Sequence, residues 1–417
     1  MKSIFAVKDL RKKIIFTLAT VLVFKLLSVI PVPGVNTDGL AAIMKQQQGL
    51  AFFSALMGGG IEHFSVILMG LSPYINALII VQLLGVIVPK IEAMQKEGEQ
   101  GQKKINKITR WLALPLAFVQ SYGMILLLNN LAGGSIINTT NWGIVFTAML
   151  VITAGTIFLM WLGEIMTEYG IGNGISVIIM AGVLAGVPGK IINYFSIGNY
   201  AMFAGLLALT LIIIYVIIKF TEGNRRIPLI YTRSGRDEKS YFPIRINQAG
   251  MVPIIFAVSI VTFPSIIGQI LSTSGSESAR TIGNFLVTYF GMNNPSWVFI
   301  GIYFLLVILF SFFYVSITFN TDQVSESIQK RGGYIPGIRP GSETSDYLGK
   351  VSARLNLFGG GFLAIIAVLP YVMSKLMGQT VDLLISGAGL IIIASVILDL
   401  IRKVDSEMKM FDYDKFK

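Results

Sequence analysis

Ten stretches of about 20 predominantly apolar residues recur along the chain, and a helix of that length rises about 30 Å, the thickness of a bilayer's hydrocarbon core. They lie near residues 14–32, 70–88, 111–130, 143–163, 173–189, 200–219, 249–268, 297–318, 354–373 and 381–400. Of the 417 residues, 54% are hydrophobic and only 13% charged, where a soluble domain carries roughly 25% charged residues. Too little polar surface exists to face water, so the sequence predicts an all-α integral membrane protein of many spans and excludes a soluble enzyme. The fifth run, Ile175 to Pro188, holds Gly182 and Gly186 and is expected to be a short, broken span inside the bundle.

An even number of spans puts both termini on one side, and the loop charges say which. The segments on the other side hold only Lys45, Lys190, Arg280 and Lys375, and Lys25 lies within the first span. Every other Lys or Arg of the 33 falls on the side of the termini, which the positive-inside rule makes cytoplasmic. The first run ends in Ile30-Pro31-Val32-Pro33-Gly34 with no small-residue cleavage site, so it reads as a retained span and not a signal peptide. The formal net charge of +11 suits anionic lipid or an acidic partner.

Three segments are not plain spans. Between the first two spans, Leu50 to Met57 is apolar and is followed by Gly58-Gly59-Gly60. Eight residues of helix rise about 12 Å and cannot cross the membrane, which leaves an interfacial helix or a re-entrant piece folded into a cavity. Two long loops on the side of the termini, about 220–248 and 319–353, exceed what a connector needs. Residues 226–246 read as two short strands around Ser234-Gly235, with Arg233, Arg236 and Lys239 near the tip. Residues 330–341 are too rich in Gly and Pro for a helix and hold Arg339 in a stiff, exposed loop. Both loops fit either simple positive-inside anchors or a docking surface.

Signatures of chemistry are missing. No phosphate loop with Gly-Lys-Ser/Thr occurs, and Gly170-Ile171-Gly172-Asn173-Gly174 follows no strand, so it reads as a tight turn between two spans. With no Cys and the single His63, neither a metal site nor a cofactor is expected. Asp382 and Asp399 sit at the two ends of the last span and no acidic residue lies at a span centre, which argues against both an intramembrane enzyme and an ion-coupled solute transporter. Asn76, Gln82, Gln120, Asn247 and Lys25 remain on the spans. The amides suit interhelical hydrogen bonds, and the lysine can snorkel.

Several motifs, taken in order, resemble the SecY family of protein-translocation channel subunits. They are Ile30-Pro31-Val32-Pro33-Gly34, Pro73-Tyr74-Ile75, Lys96-Glu97-Gly98-Glu99, Trp161-Leu162-Gly163-Glu164 running on to Gly170 through Ser176, and Ile335-Pro336-Gly337-Ile338-Arg339-Pro340-Gly341. The resemblance implies ten transmembrane helices in two five-helix halves, 1–190 and 191–417, around a central pore, with a short re-entrant plug helix at about 50–60. Its plug residues are Leu50, Phe52, Phe53, Leu56 and Met57. The pore constriction it implies is a ring of Leu71, Ile75, Ile175, Ile179, Ile255 and Ile392. Such a collar excludes ions by dewetting, yet parts around a polypeptide without selecting its sequence. It further implies a lateral gate, with Asn76, Gln82, Gln120 and Asn247 as its polar residues, and partner docking through Arg233, Arg236 and Arg339. The implied function is a channel that passes unfolded secretory polypeptides across the cell's inner (plasma) membrane and releases transmembrane segments into lipid. Signal sequences would enter through the gate, SecE and SecG would accompany the chain, and the SecA motor or the ribosome would supply energy.

Overall fold

Proline and short polar caps punctuate the helices as the local chemistry requires. The computed structural model describes residues 8–36, 63–131, 136–137, 141–197, 200–233, 236–272, 276–291, 295–377 and 385–415. The plug residues Leu50, Phe52, Phe53, Leu56 and Met57 lie outside the described residues. In chain order the first elements are α1 (Lys8–Val29), α2 (Ser72–Ile87), α3 (Pro89–Lys96), α4 (Glu99–Leu131), α5 (Trp142–Tyr169), α6 (Gly174–Ala185), α7 (Val187–Ile197) and α8 (Tyr200–Glu222). A hairpin, β1 (Asn224–Arg233) and β2 (Arg236–Arg245), is followed by α9 (Val252–Ser272), α10 (Glu277–Phe290), α11 (Trp297–Thr318) and α12 (Thr321–Lys330). The chain closes with β3 (Gly333–Tyr334), α13 (Ser342–Met377) and α14 (Gly387–Lys415).

Asn141, Asn173, Ser296 and Asn320 cap α5, α6, α11 and α12 by accepting from backbone N–H groups of the first turn, donors that the helix itself leaves unpaired. Pro89 opens α3, and the residue before a proline is pushed out of the helical region. Val88 is extended at φ −103° and ψ 109°, and α2 and α3 meet at a bend of 107°.

The ten apolar runs coincide with ten helical passages: α1, α2, α4, α5, α6 with α7, α8, α9, α11, α13 and α14. Among the described residues, six helical stretches are long and apolar enough by themselves to cross a membrane, and α2 with α3 makes a seventh if the bent pair is one span. Charge sets two of the other three apart. Lys12, Lys13 and Lys25 lie within α1, and Asp399, Arg402 and Lys403 interrupt α14. α9 itself runs 21 residues without a charge, Val252–Ser272, enough for a span. The fifth passage differs from expectation in one respect. Gly182 sits buried inside α6 without breaking it, and the interruption falls at Gly186 alone, the C-cap of α6. Val177, Ile178, Ile179 and Val183 of α6 are buried, whereas α7 exposes Ile192 and Phe195.

Three apolar clusters organise the membrane-spanning part. One is built from α8, α9, α11, α13 and α14 and centres on Phe256, Phe299, Tyr303 and Leu363. A second gathers Phe64, Leu68, Ile125, Leu128, Val145 and Ile152 from α4, α5 and the segment before α2. The third lies between them and draws on α1, α2, α5, α6, α9 and α14.

The two long loops, read separately in the sequence, form one folded unit. β1 pairs antiparallel with β2 along its whole length, and β3 adds to the other edge through Ile230–Tyr334 and Tyr231–Gly333, giving the order β2-β1-β3. Ile227, Leu229 and Ile244 from the hairpin meet Ile328, Ile335 and Leu348 in a small core of their own. This unit stands directly on the bundle, because α13 begins inside it and continues as a span.

Candidate functional site

All six aliphatic residues of the expected ring meet in the third cluster. Leu71, Ile179 and Ile392 are buried in it, and Ile75, Ile175 and Ile255 pack against it partly exposed. They arrive from four elements. Leu71 caps α2 and Ile75 lies in its first turn, where Ile75 N–H donates to the Leu71 carbonyl. Ile175 and Ile179 lie one turn apart on α6, while Ile255 comes from the first turn of α9 and Ile392 from the second turn of α14.

Local chemistry holds these segments in register. Before α2, Val32 N–H donates to Phe64 O at 2.9 Å and Val66 N–H to Ile30 O at 3.0 Å, tying the segment to the end of α1. Phe64, fully buried, takes a left-handed φ of 44°, a conformation that L side chains rarely adopt and that marks a tightly determined segment. On the other side of the cluster, the glycine turn seats α6 against α5. Gly172 has φ +79°, and a Cβ added to Gly174 would lie 2.7 Å from Met166 Cβ and 2.9 Å from Thr167 N. Gly174 N–H donates to Thr167 Oγ1 at 2.8 Å, and Ile171 N–H donates to Thr17 Oγ1 at 3.1 Å.

Beside the ring opens a cavity of about 270 Å³ whose walls come from α2, α4, α6 and α9. Ile75, Ile179 and Ile255 form one side, and Asn76, Gln120, Met124, Ser259, Thr262 and Phe263 continue it between α2, α4 and α9. Of the four amides singled out in the sequence, the structure brings Asn76 and Gln120 to this cavity. Both polar atoms of Gln120 are buried without a hydrogen-bond partner, a costly state in an apolar wall that suits a surface made to receive something. Gln82 lies farther along α2, and Asn247 sits in the turn ahead of α9, where its Oδ1 accepts from Gly250 N–H at 2.9 Å. The sequence reading passed over the hydroxyls Ser72, Ser259 and Thr262, which also line the cavity. Their signal was available, since Ile255, Ser259 and Thr262 fall on one face of α9.

In the extramembrane unit, Arg339 projects with its side chain 88% exposed, and its nearest charge is Glu343 at 4.0 Å. The loop beneath it is fixed. Gly337 and Gly341 take φ of +81° and +107°, Thr344 Oγ1 donates to Arg339 O at 2.9 Å, and Ser325 Oγ donates to Gly341 O at 2.6 Å. Arg233 and Arg236 are the last paired positions of the hairpin, next to its turn.

A family model described as SecY matches residues 65–401. The protein translocase subunit SecY of Bacillus licheniformis is 36% identical, over 98% of this chain and 97% of its own length. Among solved structures, a SecY channel whose plug domain is described as stabilising the closed state of the translocation channel and maintaining a membrane seal superposes with a TM-score of 0.68 at 20% identity. That match covers 95% of this chain and 92% of the other. Sec61 in a canine ribosome-channel complex gives 0.66 at 18% identity, with the same coverage of each chain. The two structural likenesses carry the fold.

Proposed function

Because the chain belongs to the SecY family, we propose that it is a protein-conducting channel, passing unfolded secretory polypeptides across the inner membrane and releasing transmembrane segments sideways into lipid. The observation that carries this reading is the meeting of Leu71, Ile75, Ile175, Ile179, Ile255 and Ile392, from four helices, in one aliphatic cluster beside a cavity between α2, α4 and α9. In this reading the cluster is the constriction. It offers no ligand to a desolvated ion, and a passing chain parts it by displacing side chains that make only non-directional contacts. The cavity is the path toward lipid, with Asn76 and Gln120 as its polar residues, Gln82 farther along α2 and Asn247 in the turn ahead of α9. Leu50, Phe52, Phe53, Leu56 and Met57 form the plug.

Both termini face the cytoplasm, as the distribution of Lys and Arg requires, and the halves divide at about residue 190, in α7. The β1-β2-β3 unit then lies in the cytoplasm and presents Arg339, Arg233 and Arg236 to the ribosome or to the SecA motor, which supply the energy. An exposed, rigidly mounted arginine suits phosphate or carboxylate on such a partner, and the ribosome-bound channel of similar fold supports this surface. SecE and SecG complete the assembly, and anionic lipid meets the basic loops.

The test is site-specific crosslinking from position 75 or 179 to a stalled secretory chain in membranes. A crosslink that forms only while the chain is in transit is the expected result; its absence in a folded, inserted protein would return the cavity to a solute-transport role.

A further inference from the structure

α10 is not a span: its 14 residues rise about 21 Å and fall short of the hydrocarbon core. It is divided into three sectors by its own periodicity. Gly283 faces α9 and is buried. Ile282, Phe285 and Tyr289, spaced i, i+3, i+7, are 54%, 56% and 39% exposed. Thr281, Asn284 and Thr288, with the same spacing, form an exposed polar sector beside them.

The helix is held at its middle and at its C-terminal end. A Cβ at Gly268 of α9 would lie 2.7 Å from Leu286 Cβ, and one at Gly283 would lie 2.7 Å from Gly268 O, so the two helices touch backbone to backbone. At the C-terminal end Ser296 Oγ donates to Tyr289 O at 2.6 Å while accepting from Phe299 N–H at 3.0 Å, tying α10 to the cap of α11. The apolar stripe is flanked by two exposed apolar faces of spans. Ile260, Phe263 and Ile267 repeat the i, i+3, i+7 spacing along α9, the latter two also lining the cavity between α2, α4 and α9, and Trp297 and Val298 open α11. Phe285 and Tyr289 are in ring contact, centroids 4.6 Å apart and planes tilted by 43°, and Tyr289, like the Trp297 that opens α11, is of a residue type enriched at the headgroup level of a bilayer.

We propose that α10 lies in the membrane plane at the headgroup boundary of the external leaflet, with Ile282, Phe285 and Tyr289 in lipid and Thr281, Asn284 and Thr288 in water. It is thereby an interfacial anchor on the far end of α9. Lipid is the occupant because the stripe continues the bilayer-facing surfaces of α9 and α11. The choice of leaflet rests on the topology proposed above; the embedding does not depend on channel activity. Since α9 carries Ile255 and lines the cavity, the anchor fixes the depth of one wall of the lateral opening.

The chain contains no cysteine, so single cysteines at 281, 282, 284, 285, 288 and 289 can be labelled with an environment-sensitive fluorophore in the full-length protein. The labelled proteins go into vesicles of phosphatidylethanolamine and phosphatidylglycerol, with a label at Leu305, exposed mid-span on α11, as the insertion control. Shallow nitroxide lipid is expected to quench 282, 285 and 289 several-fold more than aqueous iodide does, with the preference reversed at 281, 284 and 288. Iodide-dominated quenching at all six would place the helix in water, and quenching by neither at 282, 285 and 289 would place protein over the stripe. Either result overturns the proposal. Labelling of position 281 by an impermeant thiol reagent from outside the cell checks the leaflet separately, and transport of a secretory substrate by the same variants reports on the channel reading.

Discussion

At Gly174 the backbone of α6 comes so close to α5 that a single methyl has nowhere to go, its neighbours being Met166 Cβ at 2.7 Å and Thr167 N at 2.9 Å. Helices cannot absorb such a clash by side-chain rotation when the obstruction is backbone, so α6 must move and take Ile175 and Ile179 with it. Gly174→Val is therefore expected to cost about 1–3 kcal/mol, the usual range for overpacking, seen as a lower Tm in detergent, and to raise resting ion leak in proteoliposomes. Replacing Ile75, Ile179 and Ile255 together by Ser tests the ring more directly. Hydroxyls let water wet the constriction, so single-channel or dye-release measurements should show a larger resting conductance, and an unchanged one would remove these residues from the seal. The pairs Leu71/Ile75 and Ile175/Ile179 are legible in the sequence because four residues make one helical turn. Their meeting with Ile255 and Ile392 is not, because no local periodicity encodes which faces of distant helices touch; the family motifs supplied that link.

Among the elements, the β1-β2-β3 unit separates docking from stability. Arg339 stands 88% exposed with only a 4.0 Å contact, so Arg339→Glu should change stability by no more than about 0.5 kcal/mol while weakening ribosome or motor binding in a co-sedimentation assay. Leu348, fully buried in the small core, behaves in the opposite way. Leu348→Ala should cost roughly 2–5 kcal/mol locally, and hydrogen exchange should show protection lost across β1, β2 and α12 with α5 unaffected. The hairpin itself was readable from its turn residues and flanking strand formers. The union of the two loops was not, since β3 is only two residues long and its partner strand lies far back in the chain. α10 escaped for another reason. A search for continuous apolar runs passes over a short amphipathic helix, although Ile282, Phe285 and Tyr289 carry the helical spacing plainly.

For the molecule as a whole, the first and last helices are bridged. Lys13 Nζ of α1 lies 2.7 Å from Glu407 Oε1 of α14, both side chains partly exposed, so the pair contributes about 0.2–1 kcal/mol. Lys13→Glu or Glu407→Lys should each lower Tm slightly, and the double exchange should restore it, which a double-mutant cycle measures. The ring carries a further consequence for biosynthesis. Its members emerge from the ribosome far apart in time: Leu71 and Ile75 early, Ile392 with the last helix. Until α14 is made and inserted, the aliphatic collar lacks one of its staves, however well the earlier helices have folded. In the proposed channel, a chain truncated ahead of α14 would lack the part of the seal that Ile392 supplies.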